Sequence, residues 1–226
     1  MLALEHGFAS LDLATERLTL LADPEAHLPG NRFNDGKCDP AGRFWAGTMG
    51  MADPTPPAAG ALYCLDAQHQ VAQRLSGVTC SNGLVWSSDL STMYFIDSGA
   101  QTVDAFDYDH ATGAIANRRA VVTLPDDYGI PDGMTIDAEG MLWVAGWGHH
   151  RVSRWNPADG KLLRTLEFPA SQVTACAFGG PNLDALYVTS ARTGLSPEAL
   201  AKEPLAGALF VVYPGVQGVP ADEFAG

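Results

Sequence analysis

The chain has 226 residues, 46% of them hydrophobic and 17% charged, and a formal net charge of −13. This is an ordinary globular composition, long enough for one large core, and its acidic field repels phosphate backbones and so counts against a nucleic-acid partner. No apolar run approaches the ~18 residues of a membrane span, and the start, MLALEHGFASLDL, lacks the basic and long apolar regions of a signal peptide.

The elements expected in chain order are short strands and turns. Residues 1–30 supply one hairpin, SLDLATERLTLL from Ser10, with no other half of a repeat before it. The polar cluster NRFNDGKC (Asn31–Cys38) then runs into DPAGRFWAGTM from Asp39, an apolar strand. The same two units recur. Hairpins are expected at YCLDAQHQVAQRL (Tyr63), AFDYDHATGAIANRR (Ala105), SRWNPADGKLLRTL (Ser153) and, weakly, FVVYPGVQGV (Phe210). Strand units are expected at SSDLSTMYFIDSG (Ser87), DAEGMLWVAGWG (Asp137) and NLDALYVTSAR (Asn182). Asp39 and Asp137 both open D-x-x-G-x-x-W. SPEALAKEPLAG from Ser196 offers at most a short helical turn.

Anchored on Asp12, Asp66, Asp109, Asn156 and Tyr213, the hairpins repeat at 54, 43, 47 and 57 residues. Repeats of roughly 40–50 residues with several strands each mark β-propeller blades. The expected fold is therefore all-β, about five blades, in a single domain over residues 1–226 that opens inside a blade. The 24 glycines and 15 prolines suit its many turns.

In a propeller the residues just before the innermost strands face a shared channel. Three stretches qualify: Arg32 and Asn34, Ser81-Asn82-Gly83, and Pro131-Asp132-Gly133. On their own, Asn-Gly and Asp-Gly read as turns. Their equivalent places in the repeat argue for a site instead. One amide and one carboxylate, Asn82 and Asp132, are oxygen ligands suited to a hard divalent ion such as Ca²⁺ or Mg²⁺. His149 and His150 follow an inner strand, where they could reach the channel as an extra ligand or a base, although a solvated loop pair is the plainer reading. Trp45, Trp143 and Trp147 read as core before sugar-stacking, and Cys80 as packing. Cys38, Cys64, Cys80 and Cys176 show no zinc or redox spacing, which fits a reducing cytoplasm.

NRFNDGKCDPAGRFWAGTM, SNGLVWS, IPDGMTIDAEGMLWVA and FGGPNLDALYVTSAR together resemble the gluconolactonase / senescence-marker-protein (regucalcin) family, over essentially the whole chain. The resemblance implies a six-bladed propeller with one divalent metal, Ca²⁺ or Zn²⁺ or else Mg²⁺ or Mn²⁺, that hydrolyses sugar lactones. It assigns metal ligation to Asn82 and Asp132, the general base to Asp132, and substrate contacts to Arg32 and Asn34. Two departures stand out. The family's N-terminal segment with its Glu ligand has no counterpart, since Glu5 matches a different blade. The acid some members carry shortly after GTM is replaced by Gly50, Met51 and Ala52, with Asp53 only after them. The expected partner is a small sugar lactone, with no nucleic acid and no membrane. A serine mechanism lacks its G-x-S-x-G elbow. The rival readings are a non-catalytic calcium-binding or regulatory propeller and an interaction platform.

Overall fold

The computed structural model describes residues 1–52 and 58–226; Asp53, the displaced acid noted above, lies outside them. The described chain is all-β apart from 3-10 turns and one short helix, α1 (Pro197–Lys202), capped by Ser196, whose Oγ accepts the Ala199 N–H at 3.2 Å. Five consecutive sheets follow one another, each with its strands side by side in chain order. The first holds β1 (Leu2–Leu4), β2 (Gly7–Leu11) and β3 (Leu18–Ala22). The second holds β4 (Asn31–Cys38), β5 (Phe44–Gly50), β6 (Gly60–Leu65) and β7 (Val71–Val78). The third holds β8 (Ser81–Trp86), β9 (Thr92–Asp97), β10 (Thr102–Asp109) and β11 (Ala114–Thr123). The fourth holds β12 (Ile130–Ile136), β13 (Leu142–Trp147), β14 (Arg151–Asn156) and β15 (Lys161–Glu167). The fifth holds β16 (Val173–Gly179), β17 (Ala185–Ser190) and β18 (Leu209–Val212). These are propeller blades, and every expected strand unit and four of the five hairpins fall where the repeat placed them.

Two details differ from expectation. The first hairpin is preceded by β1, whose Leu4 pairs with Gly7, so the first sheet has three strands. The FVVYPGVQGV hairpin has only one arm, β18. Its second half does not return to the sheet: Gly218 bridges Asp137, and Ala138 N–H donates to the Gln217 carbonyl at 2.8 Å. Pro214 and Gly215 turn the chain away before a second arm can pair.

The chain divides into two compact units. One comprises Met1–Asn82, Tyr108–Ala116 and Ala221–Gly226; the other comprises Gly83–Asp107 and Asn117–Pro220. In the first unit Phe8, Phe33, Ala46, Ala61, Tyr63 and Leu65 form a buried cluster, with Phe8 and Phe33 ring centroids 4.8 Å apart. In the second, Val85, Ile96, Val103, Met134, Leu142, Val144 and Trp155 form one cluster, and Trp143, Phe168, Val173, Leu186 and Val188 belong to another.

The repeated D-x-x-G-x-x-W motif has a structural meaning. Asp39 is fully buried, and its Oδ2 accepts from Trp45 Nε1 at 2.8 Å, Arg43 Nε at 2.6 Å and the Tyr108 hydroxyl at 2.7 Å. Its Oδ1 accepts the Ala41 and Arg43 backbone N–H groups across the turn. Asp137 repeats the pattern with Trp143 Nε1 at 2.9 Å and Arg154 Nε at 2.7 Å. The indoles of Trp45 and Trp143 are therefore core, tied by their N–H groups to a turn carboxylate, and inaccessible to a sugar. Burial beside Asp39 holds the Tyr108 phenol well above its ordinary value.

Candidate active site

The polar stretch that opens β4 is organised by three hydrogen-bonding layers. The deepest is Glu25, 7% exposed, just before the strand. Its Oε1 accepts from Thr48 Oγ1 at 2.9 Å and Tyr63 OH at 3.0 Å, and its Oε2 accepts from Asn31 Nδ2 at 3.0 Å. A buried carboxylate is tolerable only when so satisfied. Glu25 thus anchors the residue next to Arg32. Nothing in the sequence motif marks it, because its three partners come from β4, β5 and β6. Replacing Glu25 with alanine removes one acceptor from three donors. Asn31 keeps the Ala59 carbonyl at 2.9 Å and Thr48 the Ala61 carbonyl at 3.3 Å, so the main cost is the buried Tyr63 hydroxyl, about 1–3 kcal/mol. The expected result is a lower thermal midpoint together with loss of whatever Arg32 does, and a melting curve of Glu25→Ala beside Glu25→Gln checks it.

The second layer is a β-bulge. Phe33 pairs with Thr48 and Asp35 with Gly47, leaving Asn34 as the extra residue of β4. Bulges re-aim side chains. Here the Asn34 amide donates to the Ser81 carbonyl at 2.8 Å and approaches Cys80 Sγ at 3.6 Å, while its Oδ1 accepts from Arg32 Nη1 at 3.0 Å. Arg32 Nη1 also donates to the Phe33 carbonyl at 2.9 Å. Arg32 and Asn34, separate expectations from sequence, are one bonded pair. Burial raises the neighbouring Asp35 carboxyl above its ordinary value, against the pull of Lys37.

The third layer is Cys80. Besides Asn34, its sulfur takes the Asn82 amide at 3.8 Å and lies 3.6 Å from Met49 Sδ. Asn82 is 7% exposed in β8. Its Nδ2 faces Cys80, which turns the amide oxygen the other way. Arg32, Asn34, Cys80 and Asn82 are therefore joined through the first unit. Cys80 does more than fill space: it touches both amides expected at the site.

Asp132 belongs to the second unit. It is half-buried in β12, where Pro131 pairs with Gly146 and Met134 with Val144, so a bulge falls on Asp132 and Gly133. The Pro131 carbonyl is fixed by Ser98 Oγ at 2.6 Å. Asn82-Gly83 and Asp132-Gly133 are not turns. Both glycines lie within strands, and neither has the positive φ that a turn glycine adopts. Each is small because another strand comes close. A Cβ on Gly83 would stand 2.5 Å from Met134 Cβ, and one on Gly133 would stand 2.6 Å from Ala175 Cβ. The N-G and D-G pairs thus mark first strands packed backbone to backbone.

His149 and His150 sit exposed at the tip of the β13–β14 loop, with His150 Nε2 4.0 Å from Glu203 Oε1. Trp147 is half-buried at the end of β13. Among the described residues no three His, Cys, Asp or Glu side chains converge as a metal cluster. The expected set, an Asn amide and an Asp carboxylate, is outside that description and is chemically suited to a hard cation.

Comparison with known proteins agrees with the motifs. Residues 1–192 match the model of the SMP-30/Gluconolactonase/LRE-like region. This chain belongs to that family. It is 47% identical to regucalcin of Oryctolagus cuniculus over 225 residues, which covers 97% of this chain and 75% of that protein. Among solved structures it is similar to a calcium-binding protein, regucalcin, from Agrobacterium tumefaciens, with 34% identity and a TM-score of 0.91 over 98% of this chain and 74% of that one. It is also similar to a gluconolactonase from Xanthomonas campestris, with 25% identity and a TM-score of 0.67 over 82% of this chain and 62% of that one.

Proposed function

We propose that this protein is a divalent-metal-dependent hydrolase that opens sugar lactones, such as gluconolactone, to the aldonic acid. The reading is supported by membership of a family whose name includes gluconolactonase. The observation that carries it is the bonded Arg32–Asn34 pair on the β4 bulge, held in place by Ser81 and Cys80. A site that only stored calcium would have no use for a guanidinium fixed beside it. An enzyme does, because a polyhydroxy ring must be oriented before its carbonyl can be attacked.

In this reading Asn82 and Asp132 hold the cation, Ca²⁺ or Zn²⁺ or else Mg²⁺ or Mn²⁺. Bound there, it supplies Lewis-acid stabilisation for the charge that grows on the lactone carbonyl oxygen. Asp132 takes a proton from the attacking water as the water oxygen bonds to the carbonyl carbon. The ring C–O bond then breaks, and the released alkoxide takes that proton back from Asp132 to become the free hydroxyl of the aldonic acid. Arg32 donates to hydroxyl or carbonyl oxygens of the ring. Asn34, whose amide is engaged on both ends, keeps Arg32 aimed. The four cysteines form no disulfide, which supports a cytoplasmic setting, and no helix among the described residues is long and apolar enough to cross a membrane.

The second reading, a calcium-binding regulatory protein, is favoured by the likeness to the Agrobacterium tumefaciens regucalcin, a calcium-binding protein. One experiment separates them. D-Glucono-δ-lactone hydrolysis is followed by pH-stat before and after chelation, with each metal then restored. The hydrolase reading expects turnover that is lost with the chelator and returns with a divalent ion. Calcium binding without turnover favours the alternative. Arg32→Ala should raise KM about tenfold or more, as expected for a lost charged hydrogen bond of roughly 1.5–3 kcal/mol, while leaving metal affinity unchanged.

A further inference from the structure

The first strands of three sheets carry a β-bulge near their beginning. In β4 the extra residue is Asn34. In β12 the bulge falls on Asp132 and Gly133. In β16, Val173 pairs with Ser190 and Ala175 with Thr189, which leaves Thr174 as the extra residue. The first two bulges present residues that the lactonase reading uses. The third presents a residue that no motif singled out.

We propose that Thr174, paired with Thr189, binds a hydroxyl group of the polyhydroxy substrate alongside Asp132, and so helps to set which lactone is accepted. The inference rests on the lactonase reading and adds a specificity residue to it. Three observations carry it. Thr174 Oγ1 and Thr189 Oγ1 lie 2.6 Å apart, so the two hydroxyls act as one unit. They are accessible, Thr174 half-buried and Thr189 exposed. They also lie on the strand pair against which the Asp132 bulge packs: a Cβ on Gly133 would stand 2.9 Å from the Thr174 carbonyl oxygen and 2.6 Å from Ala175 Cβ.

The chemistry selects a hydroxyl partner. Thr189 Oγ1 has a second acceptor, the Ala175 carbonyl, at 3.4 Å. When Thr189 donates to that carbonyl and accepts from Thr174, the pair offers lone pairs only. When Thr189 donates to Thr174, the Thr174 proton is turned outward. A carboxylate or an ammonium group suits one arrangement and not the other. A sugar hydroxyl, both donor and acceptor, suits both.

The test uses Thr174→Val and Thr189→Val, which keep the β-branched shape in the strand, with thermal melts to confirm the fold. The ratio of kcat/KM for D-glucono-δ-lactone to that for unsubstituted δ-valerolactone should fall about tenfold in either variant, the size expected for one lost hydrogen bond. The double variant should fall no further than the singles, because the hydroxyls work as a pair. Sorbitol binding by calorimetry gives a readout that needs no turnover. A protein that hydrolyses no lactone, yet binds sorbitol about tenfold more weakly as Thr174→Val, sinks the lactonase reading and with it the selection of a lactone, while upholding hydroxyl binding by the threonine pair. An unchanged ratio in an active protein overturns the proposal. In an inactive one, sorbitol affinity that is unchanged or absent overturns it too.

Discussion

Asp132→Ala should lower kcat/KM for D-glucono-δ-lactone by about a thousandfold or more, with the thermal midpoint close to that of the unaltered protein. The catalytic part of this expectation follows from two roles on one carboxylate. A positioned general base contributes roughly 10²–10⁴-fold, and in the proposed mechanism the same side chain is also the charged metal ligand. The stability part follows from place. Asp132 is half-buried on a bulge, and β12 keeps its pairing with β13 through Pro131, Met134, Thr135 and Ile136 whatever the side chain at 132. Asp132→Asn separates the roles, since an amide can still ligate but takes no proton. It should keep metal binding within about tenfold yet lose turnover nearly as fully as alanine. Calorimetric metal titration with initial-rate kinetics on both variants reads this out. Turnover of Asp132→Ala within about tenfold of normal would remove Asp132 from the mechanism.

The largest effect on stability should come from the other end of the repeat. Asp39→Ala leaves Arg43 Nε, the Trp45 indole N–H and the Tyr108 hydroxyl without their shared acceptor, and leaves the Arg43 charge without its carboxylate. All three lie in the core, with Arg43 only 8% exposed. Breaking a buried pair by removing one partner costs about 3–5 kcal/mol, a large part of the roughly 5–15 kcal/mol that holds a domain together. For a chain of this size the thermal midpoint should drop by roughly 10 °C or more. Asp137→Ala is the informative comparison. It orphans Trp143 Nε1, but Arg154 retains a carboxylate, Glu139 at 2.6 Å. Without Asp39, by contrast, Arg43 keeps neutral partners, among them the His110 carbonyl and the Tyr108 hydroxyl, each at 2.7 Å. It should therefore destabilise by less. Melting curves followed by tryptophan fluorescence would rank the two, and an Asp137 effect equal to that of Asp39 would show that the remaining Glu139 pair contributes nothing.

These two aspartates show how the chain can be read. Asp39 and Asp137 begin the same seven-residue motif, and that local spacing places each carboxylate under its own tryptophan across one tight turn. The turn and its tryptophan are local, so the sequence shows them as a repeat, as it does the strand units, the hairpins and the propeller class. The bonds to Tyr108 and Arg154 come from distant strands. Period-2 strands and turn residues depend on neighbours only a few positions away. The same holds for Arg32 and Asn34, which are two residues apart and bonded to each other. The weak hairpin after Phe210 does not form because its turn residues are present while the sheet edge that would receive the second arm is not used.

What only the tertiary structure decided depends on partners far along the chain. Glu25 is an unremarkable surface residue by sequence, yet Thr48 and Tyr63, brought to it by β5 and β6, make it the buried anchor of β4. Gly83 and Gly133 look like turn residues because the dipeptides are turn dipeptides; they are strand residues because Met134 and Ala175 approach within a side chain's width. Thr174 carries no motif at all, since a bulge is a mismatch between two paired strands and neither strand encodes it alone. The sequence determined the repeat, the hairpin turns and which residues are candidates for the site. Which strands come close, and hence which carboxylate is buried and which hydroxyls meet, was set by packing between segments that only the folded chain brings together.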